Sequence, residues 1–506
     1  MTSIAANSPL SLDGESLTLA ALRRFDSQPR EVELAHDARE RMSRSAQVVR
    51  DAVVANQVSY GITTGFGAFA NKRISADQVK QLQLNLIRSH ASGIGKPLDA
   101  KLTRRMLLLK ANSLAAGLSG IRPELVDALV NMVNRDVLPI IPERGSVGAS
   151  GDLAPLAHMA LALIGEGEAI HQEQRLEGAA VCAAAGFEPF TLEAKEGLAL
   201  VNGTQLSLAL ALEGLFRAET LLDAAIVTGA LTVDGLAGSY TPFDERIQQA
   251  SRSRHQIEVA RRFRKLLTES AIHLDHENCD RVQDPYAVRC MPQVFGAVEA
   301  SIAHGRDVLG KAINAVTDNP LIFATDILSG GNFHAEPLAM ISDYLAIAVA
   351  ELASMSERRT DLLDRRVNPA LNMFLTTEPG LESGFMIAHV AAAALTSENR
   401  TLAHPASVDN VPTSAGQEDH VSMAPWAGYK LLRICENTAQ VLAVELLAAA
   451  HAIDKQQPLA TTQALQQVQT LVRQHVPYRP FDHRLDRDIA ALTALIESGA
   501  LGAFTS

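Results

Sequence analysis

Two segments are apolar nearly all the way round a helix: residues 335–357 (AEPLAMISDYLAIAVAELASMSE) and residues 432–453. A helix without a polar face cannot lie on a wet surface, so each belongs inside a bundle or between subunits. Composition agrees. Hydrophobic residues make up 47% of the 506-residue chain and aromatic ones only 4%, which leaves Ala, Leu, Val and Ile to fill the core. Close-packed helices suit that mixture, whereas a sandwich favours aromatic and β-branched strands. The expected fold is mainly α.

Charge and cysteine usage narrow the function classes. The 57 acidic residues outnumber the 45 basic ones, giving a formal charge of −12. No Lys/Arg block offsets it, which argues against nucleic-acid or anionic-membrane partners. The N-terminal MTSIAANSPLSLDGES carries Asp13 and Glu15 and no basic n-region, unlike a secretion signal. The apolar run Val441–Ile453 is short of bilayer length and holds Glu445. Cys182, Cys279, Cys290 and Cys435 are too few and scattered for a disulfide framework, and no CxxC cluster points to a metal. A soluble cytoplasmic protein is expected.

Helical signals dominate the chain. In SGIRPELVDALVNMVNRD, Pro123 suits a first turn, and Ile121, Leu125, Leu129 and Met132 repeat at helical spacing. The segment HQEQRLEGAAV (171–181) reads as a small hairpin. Special loops crowd the N-terminal half, and long apolar helices fill the C-terminal one. A division into residues 1–205 and 206–506 follows.

Several of those loops carry chemistry-bearing residues. In GSVGASGD, Ala149-Ser150-Gly151 precedes a long apolar helix; taken alone it reads as a flexible loop. SYGITTGFGAFAN follows Tyr60 with glycines suited to tight turns over a ligand. QDPYAVRC places Tyr286 and Arg289 at i, i+3, one face if helical; the arginine can grip a carboxylate or simply be a surface residue. In QEDHVS, Glu418 and Asp419 either serve a site or complement a helix dipole. His90 in RSHASGIG is open to a structural role, and Asn202 in ALVNGTQ to a turn.

Together these motifs resemble a known family. GSVGASGDLAPLAH, YGITTGFG, EGLALVNGTQ, VQDPYAVRC, TDNPLIF, SGGNFHAEP and LAHPASVDNVPTSAGQEDHVSMAP occur in order. They are similar to those of aromatic amino acid ammonia-lyases and aminomutases, most closely the histidine ammonia-lyase branch. The likeness runs from about Tyr60 through SMAPWAGYK. It implies that Ala149, Ser150 and Gly151 cyclise autocatalytically, with loss of water, to a 4-methylideneimidazol-5-one electrophile, and that no diffusible cofactor and no metal is needed. Small residues make sense there, because the Gly151 amide nitrogen must reach the Ala149 carbonyl through a sharp bend. The resemblance further implies Asp152 in the proton traffic, Tyr60 as base at the substrate β-carbon and Tyr286 as a second tyrosine near the electrophile. It implies Arg289 as carboxylate clamp, Asn202 and Gln283 as polar groups around the amine, and Phe333 as a pocket wall. The implied architecture is an N-terminal domain bearing the electrophile and a C-terminal bundle of long helices, assembled as a homotetramer with shared active sites.

Two features favour L-histidine as the small-molecule substrate, with trans-urocanate and ammonia as products. Glu418 stands where phenylalanine and tyrosine enzymes typically read NQD, and a carboxylate suits an imidazole N–H better than a phenyl ring. The Ser89-His90 pair also matches the histidine pattern. Thr63, His389, Met291 and Trp426 depart from it. A phenylalanine or tyrosine ammonia-lyase, giving cinnamate or coumarate, and an aromatic amino acid 2,3-aminomutase are the alternatives.

Overall fold

The computed structural model describes residues 9–276 and 281–505, so Cys279 and the first eight residues of the N-terminal segment lie outside the described residues. Nineteen α-helices are present among the described residues, with only short strands between them. Two compact units emerge, each assembled from separate stretches of chain. Unit 1 comprises Met1–Glu213, Arg306–Ser342 and Pro405–Tyr429; unit 2 comprises Gly214–Gly305, Asp343–His404 and Lys430–Ser506.

In unit 1, α1 (Val79–His90), α2 (Ala100–Ala115), α3 (Pro123–Asn134), α4 (Leu153–Leu163) and α5 (Glu196–Val201) form the scaffold of the site. Pro123 opens α3, where its missing N–H costs nothing, and Leu125, Leu129 and Met132 are fully buried. The carboxylate of Asp99 caps α2 by accepting from the Lys101 amide at 2.8 Å. One side of α2 buries Arg105 completely, and its guanidinium bonds Asp26 at 2.6 Å and Glu213 at 2.8 Å. The hairpin signal is met slightly upstream of its expected place. Strands β1 (Glu168–His171) and β2 (Gln174–Glu177) pair through a two-residue turn at Gln172 and Glu173, both at positive φ. Residues 179–181 instead begin a short helix, Ala179–Ala185, because Ala179-Ala180 favours helix over strand.

The longer helices are α6 (Gln205–Gly235), α7 (Met291–Ala312), α8 (Glu336–Asp364), α9 (Met386–Leu402) and α10 (Ala424–Lys455). Residue 205, the expected domain limit, is the first residue of α6. Residues 441–453 of α10 are buried without interruption. By length and composition alone α8 is long and apolar enough to cross a membrane, and most of that window is buried inside the protein. Along α8, Met340, Tyr344 and Ile347 form an exposed stripe at helical spacing.

Unit 2 carries a buried ion pair between α8 and α10. The Arg359 guanidinium donates to Glu445 from Nε at 2.5 Å and from Nη2 at 2.7 Å, and both side chains are 0% exposed. Thr232 on α6 adds its hydroxyl to the same carboxylate at 2.6 Å. Breaking such a pair from one side strands a charge in a low-dielectric interior, which costs more than the intact pair contributes. Arg359→Met is therefore expected to lower the unfolding free energy by ~3–5 kcal/mol in chemical denaturation, while Arg359→Met combined with Glu445→Leu recovers most of the loss.

Candidate active site

The segment from Ser146 to Asp152 turns twice through conformations that side chains rarely adopt. Gly148 has φ +66° and Gly151 φ +75°. A Cβ on Gly151 would stand 2.1 Å from the Gly203 carbonyl oxygen, and one on Gly148 would stand 2.3 Å from Ser422 Oγ. Glycine is required at both places by conformation and by space. Gly203 also accepts the Asp152 amide at 2.6 Å.

First turns of several helices hold this segment. Asp152 sits immediately before α4, fully buried; its carboxylate accepts from the hydroxyls of Ser146 and Ser207 at 2.9 Å each and from the Ser207 amide at 2.8 Å, in the first turn of α6. The Ala335 amide, just ahead of α8, donates to the Gly148 carbonyl at 3.2 Å, and the Met423 amide, just ahead of α10, to Val147 at 2.8 Å. Positive helix ends therefore gather on residues 147–152. Burial pushes the Asp152 carboxyl up, and the Ser207 and Ser146 donors only partly counter it.

Ala149 and Ser150 line a cavity of about 1310 Å³ within unit 1, together with Tyr60, His90, Asn202, Phe333 and Glu418. Those seven residues come from segments far apart in sequence, His90 from the end of α1 and the others from loops. The Gly67 amide donates to the Tyr60 phenol oxygen at 3.2 Å. His90 ends α1, its Nδ1 at 3.0 Å from Ser89 Oγ. Burial pulls the His90 imidazole down, against Glu418, whose charge favours protonation. Three hydroxyls donate to Glu418: Ser150 at 2.5 Å to Oε1, and Thr413 at 2.6 Å and Ser414 at 2.7 Å to Oε2. Burial pushes this carboxyl up, but the donors outweigh it and hold it below the usual range. An ionised carboxylate thus faces the cavity, able to pair with an N–H cation or a neutral N–H donor.

Gln283, Tyr286 and Arg289 belong to unit 2 and do not line this cavity. Residues 286–289 form one helical turn, and the expected shared face is present, with the Arg289 guanidinium 4.4 Å from the Tyr286 ring centroid. Arg289 Nε donates to the Asp284 carbonyl at 2.9 Å, and Gln283 and Tyr286 are exposed.

The departures from the family pattern have local explanations. Thr63 is buried and staples its own loop, accepting the Ser59 amide at 3.0 Å and donating to the Gln57 carbonyl at 2.6 Å. Met291 is buried at the start of α7, whereas Trp426 is half exposed. His389 is held in unit 2 between two acids of α8, Glu357 at 2.8 Å and Asp364 at 3.8 Å.

Sequence reading overlooked two groupings. His334, Glu336 and His420 bring potential ligand atoms within 4.8 Å of one another. In this arrangement both His334 nitrogens are engaged, Nδ1 by the Glu336 amide at 3.3 Å and Nε2 by the His420 carbonyl at 3.1 Å. The other grouping, Lys110, Lys195 and Asp318, lies fully buried beneath Asn202. A lone lysine in the apolar run MLLLKANSLA was its available signal.

Comparison with known proteins fits this geometry. The family described as aromatic amino acid lyase matches residues 17–474. A histidine ammonia-lyase of Desulfotalea psychrophila is 49% identical over 502 residues, 99% of this chain and 98% of that one. The crystal structure of histidine ammonia-lyase from Trypanosoma cruzi superimposes with a TM-score of 0.90 at 39% identity, covering 98% of this chain and 95% of that one. A tyrosine aminomutase from Streptomyces globisporus gives 0.92 at 33% identity, covering 98% of each. A helical lyase is thereby defined. The chain belongs to the aromatic amino acid lyase family.

The acids around His389 set a pH dependence of stability. Burial pushes the Asp364 carboxyl from 3.8 up to about 7, despite the opposing pull of His389. The folded state therefore holds this proton more tightly than the unfolded state does. The resulting stabilisation is complete below pH 3.8 and is lost as pH rises to about 7. Asp364→Asn is expected to stabilise the protein by ~1–3 kcal/mol at alkaline pH and to change little in acid, read from thermal unfolding across pH.

Proposed function

We propose that this chain is a histidine ammonia-lyase, eliminating ammonia from L-histidine to give trans-urocanate. The observation that carries the reading is Glu418: a carboxylate on the cavity wall with His90, held through Oε2 by the Thr413 and Ser414 hydroxyls, while Oε1 becomes free for a substrate donor once Ser150 has given up its hydroxyl as water. An imidazole N–H satisfies such a group, whereas a phenyl ring would leave it desolvated and unpaired.

Residues 149–151 suit the 4-methylideneimidazol-5-one group that the family resemblance implies. Positive φ at Gly151, the Gly203 carbonyl pressed where a Cβ would be, and the fixed Asp152 amide keep the chain bent, and holding reacting atoms together removes much of the entropic cost of ring closure. Once formed, the group supplies an electrophile that makes the substrate nitrogen a better leaving group.

The chain's own side chains do the rest. Tyr60 takes the β-proton; the Gly67 amide donates to its oxygen and fixes the ring at the cavity wall. Glu418 and His90 orient the imidazole, Asn202 faces the amine, and Phe333 closes one wall. Arg289, prevented from swinging by its bond to the Asp284 carbonyl, grips the substrate carboxylate, with Tyr286 and Gln283 beside it. These three complete the cavity in a homotetramer, a reading supported by the exposed Met340, Tyr344 and Ile347 stripe on α8. The enzyme works in the cytoplasm without metal or diffusible cofactor.

Ultraviolet spectra of the purified protein with L-histidine, L-phenylalanine or L-tyrosine test this. Urocanate from histidine alone, absent in Ser150→Ala, is the expected result; cinnamate or coumarate instead, or a β-amino acid found by chromatography of the products, would overturn the assignment. Glu418→Gln should lower kcat/KM for histidine by roughly 10–150-fold, the worth of one hydrogen bond to a charged group.

A further inference from the structure

Lys110 is 1% exposed, and its ammonium donates not to a carboxylate but to a backbone carbonyl, that of Asn202, at 2.7 Å. Two carboxylates lie in the neighbourhood, and both are engaged elsewhere: Asp318 at 2.6 Å by a second buried lysine, Lys195, and Asp152 by Ser146 and Ser207. Burying an ammonium against a neutral oxygen is expensive. Burial pulls the Lys110 amine down to about 7, against the opposing pull of Asp318. A residue so costly is explained by what its carbonyl partner carries.

Asn202 is attached on one side to the cavity and on the other to the cyclising tripeptide. Its side chain lines the cavity, with an Oδ1 that is buried and unpartnered. Its amide is fixed to the Leu198 carbonyl at 2.8 Å, at the end of α5. The next residue, Gly203, bridges to Gly151 and receives the Asp152 amide at 2.6 Å. From Lys110 Nζ the path to the Gly151 turn thus runs through one hydrogen bond, one peptide link and one bridge.

We infer that Lys110 is a positioning residue: by anchoring the Asn202 carbonyl it presses Gly203 against Gly151, so that the tripeptide is held bent for cyclisation and Asn202 is aimed at the substrate amine. The inference rests on the proposed electrophile. No proton or bond of Lys110 changes; its contribution is geometric, and a displacement of about 1 Å in such an arrangement costs roughly 100-fold in rate.

The test is intact-protein mass, followed over time after synthesis, on wild type, Lys110→Met and Lys110→Arg, with thermal unfolding measured alongside. Wild-type protein that never loses two waters would defeat the electrophile reading itself. Given a wild type that loses both, the expected result is folded Lys110→Met that retains them or loses them at least about tenfold more slowly. Its matured fraction should show kcat reduced more than KM is raised, and Lys110→Arg should restore both. Folded Lys110→Met that matures and turns over as wild type does overturns the inference. If Lys110→Met does not fold, Lys110→Gln replaces it in the same measurement. Failure of both to fold also overturns it, since Lys110 would then support unit 1 at large and not this loop.

Discussion

Everything at the site depends on backbone polar groups being shared between one tight turn and the first turns of neighbouring helices. A helix start leaves amides without intrahelical partners, and here the amide ahead of α8 goes to Gly148, the one ahead of α10 to Val147, and one in the first turn of α6 to Asp152. The turn could not be this sharp if left to itself, because its positive-φ glycines are free to unwind. Nor could those helix ends stay dry without acceptors. Each requirement meets the other, and the resulting segment is both bent and surrounded by donors.

Buried charge follows two different rules in the molecule. In unit 2, Arg359 and Glu445 satisfy one another through two parallel hydrogen bonds, with Thr232 on a remaining lone pair. That arrangement ties α6, α8 and α10 together, with Arg359 Nη1 buried and without a hydrogen-bond partner among the described residues. Unit 1 holds closed pairs too, Arg105 with Asp26 and Glu213 and Lys195 with Asp318, but beside the site the Lys110 ammonium ends on a peptide carbonyl and the Asp152 carboxylate on two serine hydroxyls and an amide, so polar energy there is directed at the loop. Fixing main chain is what a site made of loop residues needs.

The all-round apolar segments foretold buried helices because 3.6-residue periodicity leaves no other solution, and α10 is interior as expected. α8 is so only in part, since its stripe at Met340, Tyr344 and Ile347 faces out of the single chain. Seven candidate residues, Tyr60, His90, Ala149, Ser150, Asn202, Phe333 and Glu418, meet around one cavity; local residue types singled out six of them, whereas Phe333 and the convergence of all seven followed only from the family likeness. Thr63 and His389 depart from the histidine pattern, and the structure gives them loop-stapling and ion-paired surroundings. The role of His389 depends on partners distant in sequence, Glu357 and Asp364, whereas the partners of Thr63 lie within six residues of it. The split of unit 1 into three stretches was beyond any reading by composition, because the returning segments 306–342 and 405–429 carry no boundary signal of their own.

The size of the cavity has a consequence for the medium in which its charges act. At about 1310 Å³ it has room for tens of water molecules, at roughly 30 Å³ each. An amino acid displaces only a few of them. In so wet a space the field of Glu418 across the cavity is screened towards its value in bulk solvent, where a unit charge at 4 Å is worth about 1 kcal/mol, whereas the helix ends, bonded to residues 147–152, stay dry. The reach of Glu418 across the cavity is therefore set less by where its charge sits than by how much water a bound amino acid leaves beside it.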